Sequence, residues 1–225
     1  MTDTLLIAAI LIPCLVVAIV FHEVAHGWTA LALGDPTAKE QRRLSLNPIR
    51  HIDPIGTLLV PGALALTGGP IFGWAKPVPV RKDRLDNPRY GMMAVAAAGP
   101  GTNILLGFLG AIAFGLYVGL AGVNETAITV FSYFVLINAF LALFNLLPIP
   151  PFDGSHILEG LLPRSMAAQY AKFQKAGILV FVALVIVVWA FPEWRILERT
   201  IGPPLDWVLG QFREVALFIA QLVAG

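Results

Sequence analysis

The sequence predicts an all-α polytopic membrane protein with about five transmembrane helices and a short re-entrant or β-hairpin region around residues 54–80. Of the 225 residues, 57% are hydrophobic and only 13% are charged, whereas soluble domains carry about 25% charged residues. The mean hydropathy is +0.78, and several uncharged stretches reach the roughly 20 residues that a spanning helix needs. A net charge of +1 gives no indication of nucleic-acid binding.

The predicted spans follow one another along the whole chain. The first apolar segment begins at residue 4 and continues to about Leu33, where the run Gly34-Asp35-Pro36 predicts a helix end. The last segment contains Asp206, Arg213 and Glu214, so it fits either a span, which we favour, or an amphipathic helix in the membrane interface. The predicted segments after the first are 92–122, 126–152 with a break near Pro148, the shorter 176–192, and 204–224.

Residues 54–75 are uncharged and long enough to span, yet they contain three prolines and five glycines. A lipid-exposed helix with so many breakers would leave backbone groups unpaired in hydrocarbon. Nine of the 15 basic residues flank this segment, four before it and five after it, and cytoplasmic loops collect Lys and Arg. We therefore expect a re-entrant loop or hairpin that enters and leaves on the cytoplasmic side, with residues 74–80 (WAKPVPV) extended.

The same charge rule predicts the orientation of the chain in the membrane. The N-terminus is expected outside, residues 92–122 run outward, and residues 128–147 return inward. The 176–191 helix then runs outward, and the last segment returns. The first apolar segment has no basic residues before it, so no cleavable signal peptide is expected.

His22, Glu23 and His26 form the run HEVAH inside the first apolar segment. The two histidines are four residues apart and share one face of a helix. In the HExxH pattern two imidazoles bind zinc, and the glutamate acts as a general base on water. Ionisable residues within a span are costly and usually functional. The alternative is a helix end in water, where the histidines pair with nearby acids.

Catalytic zinc usually has three protein ligands and one open position, so a third ligand must come from another part of the chain. Asp153 follows the third span in the run NLLPIPPFDG, whose three prolines stop the helix near the cytoplasmic face. Asp153 therefore lies at about the depth of HEVAH, and Gly154 permits a tight turn. An aspartate that caps a helix or turn is the alternative. The other carboxylates considered are Asp35, Glu40 and Asp53 in the first cytoplasmic loop, and Glu125 on the opposite side.

HEVAH in one membrane helix, together with NLLPIPPFDG in a later one, resembles the site-2 protease family of intramembrane zinc metalloproteases. The stretch GWAKPVPV at 73–80 is similar to the re-entrant region of that family, and NPR followed by AGPGTN at 98–103 resembles the start of its second core helix. The resemblance covers roughly residues 15–160. It implies a single membrane domain over 1–225, with a three-helix catalytic core within about 4–160 and C-terminal helices in 168–225.

The resemblance also implies roles for particular residues. His22, His26 and Asp153 would bind Zn²⁺, and Glu23 would be the catalytic base. Asn145 and Asn103 are candidates for holding a substrate strand or the developing oxyanion, with helix packing as the alternative.

Two features depart from many members of that family. Ser155-His156 follows the aspartate where many relatives carry glycine and a basic residue. The chain is also expected to be a compact form, without an inserted peptide-binding (PDZ) domain or a nucleotide-sensing (CBS) module.

We expect a zinc-dependent intramembrane endopeptidase of a prokaryotic cell membrane, with its active site toward the cytoplasm. Its partners would be the lipid bilayer and a membrane-protein substrate segment. One alternative is a non-catalytic metal-binding scaffold or a metal carrier. A carrier needs polar residues along a path across the membrane, and residues 92–122 and 128–147 offer almost none. Another alternative is a different HExxH protease with Glu159 as its third ligand.

Overall fold

The computed structural model describes residues 2–60, 66 and 75–224, which are mostly helical and contain no β-strand. Single helical turns lie in the loops at Pro48–His51, Pro54–Leu59, Lys82–Arg84 and Pro192–Trp194. The helices are α1 (Thr2–Ala32), the one-turn α2 (Thr37–Glu40), α3 (Pro88–Ala121), α4 (Glu125–Asn145), α5 (Asp153–Leu161), α6 (Arg164–Gln174), α7 (Gly177–Ala190) and α8 (Ile196–Ala224).

Within the described residues, four helical segments are long and apolar enough to cross a bilayer. A fifth span results if α6 and α7 are counted together, although the two helices are bent by 67° relative to each other. The prediction of an all-helical polytopic membrane protein is therefore confirmed, with four to five candidate spans where about five were expected. The four segments are Leu5–Ala32, Pro88–Ala121, Glu125–Asn145 and Pro192–Ala224.

Short polar residues and glycines fix the ends of the long helices. The Asn87 side chain accepts hydrogen bonds from the backbone amides of Arg89 and Tyr90 at the start of α3, and Asn124 accepts one at the start of α4. Each bond satisfies an amide that has no partner in the first turn of a helix. Gly34 (φ +99°) and Gly122 (φ +79°) follow α1 and α3 in the left-handed region that glycine adopts without strain.

The α3 helix is the centre of the bundle and packs against α1, α4 and α8. Its Gly110 lies against Phe134 and Val135 of α4, while nearer its C-terminal end Phe114 packs on Phe131 with ring centroids 5.3 Å apart. Later residues of α3 thus meet earlier residues of α4, and the two helices are antiparallel. The α1 helix is also antiparallel to α3. Small residues at these contacts let the helices approach closely, as is typical in membranes.

The α8 helix runs parallel to α3, in the opposite direction to the one predicted from the sequence. Gly107 faces Phe212, whereas Gly115 faces Ala216 and Ile219. The sequence-based topology was wrong because it assumed that α7 crosses the bilayer outward. With 14 residues, α7 is about 21 Å long at 1.5 Å per residue, which is shorter than the roughly 30 Å hydrocarbon core. It contacts the loop after α4 rather than the bundle, with Gly177 beside Pro150 and Pro151.

The segment that connects α1 to α3 contains the predicted re-entrant region. Residues 61–65 and 67–74, which hold most of the predicted hairpin, lie outside the described residues. Pro54–Leu59 forms a π-helical turn that is capped by the Asp53 side chain. Residues 75–80 belong to neither a helix nor a strand, and Pro77 and Pro79 prevent regular pairing within this stretch.

Candidate metal centre

His22 and His26 lie on the face of α1 that is buried against α3, and they are only 5% and 9% exposed. Their rings meet edge to face with centroids 4.6 Å apart. One turn of a helix separates them, so both rings project in the same direction. Gly99 of α3 lies opposite, where an added Cβ would come within 2.5 Å of the His26 ring and 2.6 Å of the His22 ring. Because no side chain fits there, glycine leaves the space that the two imidazoles occupy.

The orientation of the His22 ring is set by Asn103. His22 Nδ1 lies 2.6 Å from Asn103 Oδ1. The Asn103 amide nitrogen donates to Ala18 O and to Asn138 Oδ1, both at 3.0 Å, so its oxygen faces the histidine as an acceptor. Nδ1 of His22 is therefore the donor, and in the neutral imidazole Nε2 carries the free lone pair.

The His26 ring is oriented in the same way by a backbone group. Its Nδ1 lies 2.7 Å from the carbonyl oxygen of Val95, which can only accept a hydrogen bond. Nε2 of His26 therefore also presents a lone pair. Histidines that bind metals in proteins usually donate their second nitrogen to an oxygen in this manner.

Asp153 completes the group from the first residue of α5. Its Oδ2 atom lies 3.1 Å from His22 Nε2 and 3.4 Å from His26 Nε2, and all three atoms lie within 4.8 Å of one another. Oδ2 is buried and has no hydrogen-bond partner. Three acceptor atoms thus converge with no proton between them, which is unfavourable unless a cation is bound. Two imidazole nitrogens and a carboxylate oxygen form a donor set that zinc accepts.

The Asp153 carboxyl lies outside the spanning helices and is an anion at neutral pH. Burial alone raises its pKa, whereas positive charge on the facing side of His22 and His26 lowers it to about 2, and a cation held among the three acceptor atoms would supply such charge. Gly154 lies within the first turn of α5, and an added Cβ there would meet the Leu146 and Leu147 backbone carbonyls. Glycine at this position therefore lets α5 approach the end of α4 closely.

Glu23 lies beside this group and binds the segment that enters from the re-entrant region. Its Oε2 atom accepts a hydrogen bond of 2.7 Å from the backbone amide of Val78. Lys76, two residues earlier, donates its amide to His51 O at 2.8 Å, and its carbonyl accepts from Arg43 Nη2 at 2.7 Å. One edge of residues 76–78 is therefore fixed by three bonds, one of which ends on Glu23.

Arg43 is a buried cation, 7% exposed, close to Glu23. Burial lowers the pKa of its guanidinium, and the negative charge of Glu23 opposes that shift. Its Nε atom is buried without a hydrogen-bond partner. A second buried group, Asp35, holds the far end of the same segment, since its Oδ2 accepts from the Arg81 amide at 2.6 Å. These two residues were not recognised as functional from the sequence.

The remaining candidates from the sequence lie in other environments. Asn103 is fully buried and holds His22, and its role in binding a substrate or oxyanion stays a prediction. The Asn145 amide donates to Leu141 O within α4 at 2.9 Å, and its role in substrate binding stays a prediction. Glu159 binds Lys82 at 2.7 Å and is not part of the three-ligand group. His156 lies 3.7 Å from Glu159, and burial lowers its pKa.

Sequence reasoning did not identify Val95, Gly99 and Asn138 as parts of this centre. Asn138 could have been noticed because it is a polar residue in the charge-free stretch that forms α4. It is fully buried, and its own amide donates to Phe134 O at 2.9 Å. No sequence signal distinguishes Val95, because its contribution is a backbone carbonyl.

Comparison with known proteins gives consistent results. The model of peptidase family M50 matches residues 10–188. YwhC of Bacillus subtilis, named as a zinc metalloprotease, is 40% identical over 182 residues, which cover 78% of this chain and 80% of that protein. Rip2 of Mycolicibacterium smegmatis, named in the same way, is 28% identical over 73% of this chain and 62% of its own length.

A third relative, from an archaeon, matches a shorter part of the chain. MJ0611 of Methanocaldococcus jannaschii, also named as a zinc metalloprotease, is 36% identical over 45% of this chain and 46% of its own length. No solved structure matches the chain. Since the family model covers well over half of the sequence, the chain belongs to peptidase family M50, the site-2 protease family of membrane zinc metalloproteases.

Proposed function

We propose that this protein is a zinc-dependent intramembrane endopeptidase that cleaves peptide bonds in or near transmembrane segments of other proteins. His22, His26 and Asp153 hold the zinc ion. The observation that carries the proposal is the convergence of their three acceptor atoms within 4.8 Å of one another, with both histidines oriented through Nδ1. Membership of a zinc metalloprotease family supports the same metal.

A zinc ion held by these three residues would supply Lewis acidity, which can polarise a carbonyl and lower the pKa of water toward about 7. Glu23 is placed to take a proton from the attacking water and to deliver it to the leaving amine. Because Val78 donates to Oε2 of Glu23, the other carboxylate oxygen is the one that handles the proton. The Val78 amide holds this carboxylate in one orientation, and Arg43 holds the segment that carries this amide through its bond to Lys76 O.

The orientation in the membrane belongs to the same proposal. The N-terminus lies outside, and the metal centre lies toward the cytoplasm. The loops at the metal-centre end of the bundle contain Lys39, Arg42, Arg43 and Arg50 before the re-entrant region and five further basic residues after it. Cytoplasmic loops are enriched in such residues. The substrate is therefore cut toward its cytoplasmic end.

A metal carrier or a non-catalytic scaffold is less well supported. A carrier needs ligands along a path across the bilayer, but the described residues contain one such group, which consists of His22, His26 and Asp153. A scaffold has no use for a carboxylate beside the metal that is held by a backbone amide. Glu23 in its observed environment therefore favours catalysis.

The decisive test is the Glu23→Gln variant. Glutamine keeps an oxygen that accepts from the Val78 amide, and it does not change the three ligands. We expect one zinc ion per chain by elemental analysis, as in the wild type, and complete loss of cleavage. Proteomic comparison of membranes that contain either form should reveal intact membrane proteins that accumulate with the variant. Cleavage by Glu23→Gln at the wild-type rate would disprove the proposed mechanism.

His22→Ala serves as the companion variant, because it should lose both zinc and cleavage. A Glu23→Gln protein that had also lost its zinc would show that the effect is structural. Wild-type membranes that show no difference in protein fragments from either variant would favour the scaffold.

A further inference from the structure

The outward face of α8 carries charged residues at a depth where lipid would be expected. Its buried residues are apolar, including Ile201, Phe212 and Ala216. The exposed positions combine large apolar residues, among them Trp207, Leu217, Phe218 and Leu222, with the polar residues Asp206, Gln211, Arg213, Glu214 and Gln221. The charged residues are the unusual ones, because ionisable groups are costly in hydrocarbon.

Contacts with neighbouring helices give the depth of Arg213 and Glu214. The 21 residues of α4 are about 31 Å long, which matches the hydrocarbon core, and Val135 is their midpoint. Val135 packs against Gly110 of α3. On α8, Phe212 contacts Gly107 and Ala216 contacts Gly115. The residues level with Gly110 are therefore Arg213 and Glu214, at the middle of the bundle.

Neither of these two charges is covered by the residues that the structure describes. The Arg213 and Glu214 side chains are 74% and 67% exposed, and their nearest charged atoms are 3.7 Å apart. Such an adjacent pair gives each charge only a weak partner and leaves most of each side chain exposed. Ionisable residues at this depth are usually paired within protein. A protein surface therefore covers this face of α8.

A cavity of about 520 Å³ lies next to the same charges, between α3, α4 and α8. Arg213 forms part of its edge, while Phe114, Leu136 and Leu217 are among the apolar side chains that line it. The gap gives side chains of a docked helix a place to pack beside the polar positions. It is a groove on the side of the bundle, away from His22 and His26.

We propose that a second copy of this chain covers the face, with α8 packed on α8 about a two-fold axis along the membrane normal. Two copies with the same orientation in the bilayer place their α8 helices parallel and at equal depth. Arg213 then meets Glu214 of the second copy, and Glu214 meets its Arg213. Adjacent residues of opposite charge are self-complementary under this symmetry. A different partner would have to supply its own matched pair at the same depth.

Charge reversal tests this arrangement sharply. Each protein is reconstituted in nanodiscs at low copy number, and its mass is compared with that of the 24.2 kDa chain. We expect a dimer for the wild type. Arg213→Glu and Glu214→Arg each place like charges opposite each other, so each should shift the protein to monomer. The double variant Arg213→Glu/Glu214→Arg should restore the dimer.

The matched control is another ion pair near the start of the same helix. Arg195 and Glu198 are 66% and 62% exposed, and reversing either should leave the dimer unchanged. Because a single reversal at mid-membrane can impair insertion, a second measurement uses cross-linking in native membranes. The cysteine Gln221→Cys lies seven residues after Glu214 on the same face, and the only native cysteine, Cys14, is replaced by alanine.

The expected cross-linked product has twice the mass of one chain. The same reaction at Ile12→Cys, which lies 60% exposed on α1, should give no such product. A monomeric wild type, a cross-linked product of any other mass, or an inserted double variant that stays monomeric would overturn the proposal. These readouts do not depend on proteolysis, so they are independent of the proposed enzymatic activity.

Discussion

His22 Nδ1 and Asn103 Oδ1 are joined across α1 and α3 by a hydrogen bond of 2.6 Å. The bond connects a candidate zinc ligand to an asparagine that is fully buried and held by α1 and α4. Three helices thus set the direction of one imidazole lone pair. The metal centre is therefore a property of the packed bundle as much as of the HEVAH run.

Replacing Asn103 with alanine should weaken zinc binding without removing a ligand. Partners that orient metal-binding histidines typically contribute 10- to 100-fold in metal affinity, and we expect a loss of about that size. Competition with a zinc chelator measures it. Asn145→Ala is the matched control, because the Asn145 amide bonds within its own helix and its loss should leave zinc affinity unchanged. Equal zinc affinity in both variants would contradict the role given to Asn103.

The Gly99→Ala variant should disrupt the centre through a single methyl group. That carbon would lie 2.5 Å from the His26 ring, so one or both imidazoles must rotate away from Asp153. We expect zinc affinity to fall by at least about tenfold and cleavage to fall with it. Gly101→Ala on the same helix meets nothing within 4 Å and should leave zinc affinity intact. It should even stabilise α3, by about 0.5–1 kcal/mol.

Arg43→Gln should impair cleavage while leaving zinc in place. The change removes the charged donor to Lys76 O and the cation beside Glu23. Hydrogen bonds to charged groups contribute about 1.5–3 kcal/mol. If the segment no longer holds Glu23, a loss of this size lowers the cleavage rate by roughly 10- to 100-fold. The cleavage rate is measured on a substrate identified from the Glu23→Gln comparison, together with zinc content. Arg42→Gln, an exposed neighbour with the same charge change, should retain the rate.

Asp35→Asn should destabilise the loop that follows α1 at neutral pH. Burial raises the pKa of Asp35, but hydrogen bonds from Thr37 and Arg81 reverse this and lower it below the ordinary value of 3.8. A carboxyl with a depressed pKa stabilises the fold fully above that ordinary value, and the contribution is lost as the pH falls through the lower folded value. The expected cost of the variant is about 1–3 kcal/mol at pH 7.

The pH dependence separates this effect from a general loss of stability. The difference in unfolding free energy between wild type and Asp35→Asn should shrink as the pH falls below 3.8. Thermal unfolding in detergent at a series of pH values measures it. Glu125→Gln, at an exposed helix start, serves as the control and should differ little from wild type. A difference that persists unchanged to the lowest pH would rule out the carboxylate as its source.

The central features of the site follow from local sequence, while its supporting residues do not. His22, Glu23 and His26 are recognisable because a helix places residues four apart on one face. Asp153 is a candidate because prolines end the preceding helix at a similar depth, and the resemblance of NLLPIPPFDG to the site-2 protease family selects it as the ligand. Val95 contributes a backbone carbonyl and Gly99 contributes space. Neither leaves a chemical signature in the sequence. Arg43 looks like one more basic loop residue until the fold buries it.

The direction of α8 shows a different limit. Hydropathy identifies apolar segments, and basic residues indicate which loops are cytoplasmic, but neither reveals whether a short apolar helix crosses the bilayer. An error in counting α7 as a span reverses every later segment. The contacts of Gly107 and Gly115 with α8 give the direction of α8, because such contacts depend on which helix surfaces pack together.

The packing of Gly110 at the midpoint of α4 also bears on how water would reach the proposed zinc ligands. Gly99 precedes Gly110 by 11 residues on α3, or about 16 Å along the helix axis. The half-thickness of the hydrocarbon core is about 15 Å. The imidazoles opposite Gly99 therefore lie at the boundary between acyl chains and headgroups. Under the proposed function, hydrolytic water would arrive from the adjacent aqueous phase, with no need for a channel through the bilayer.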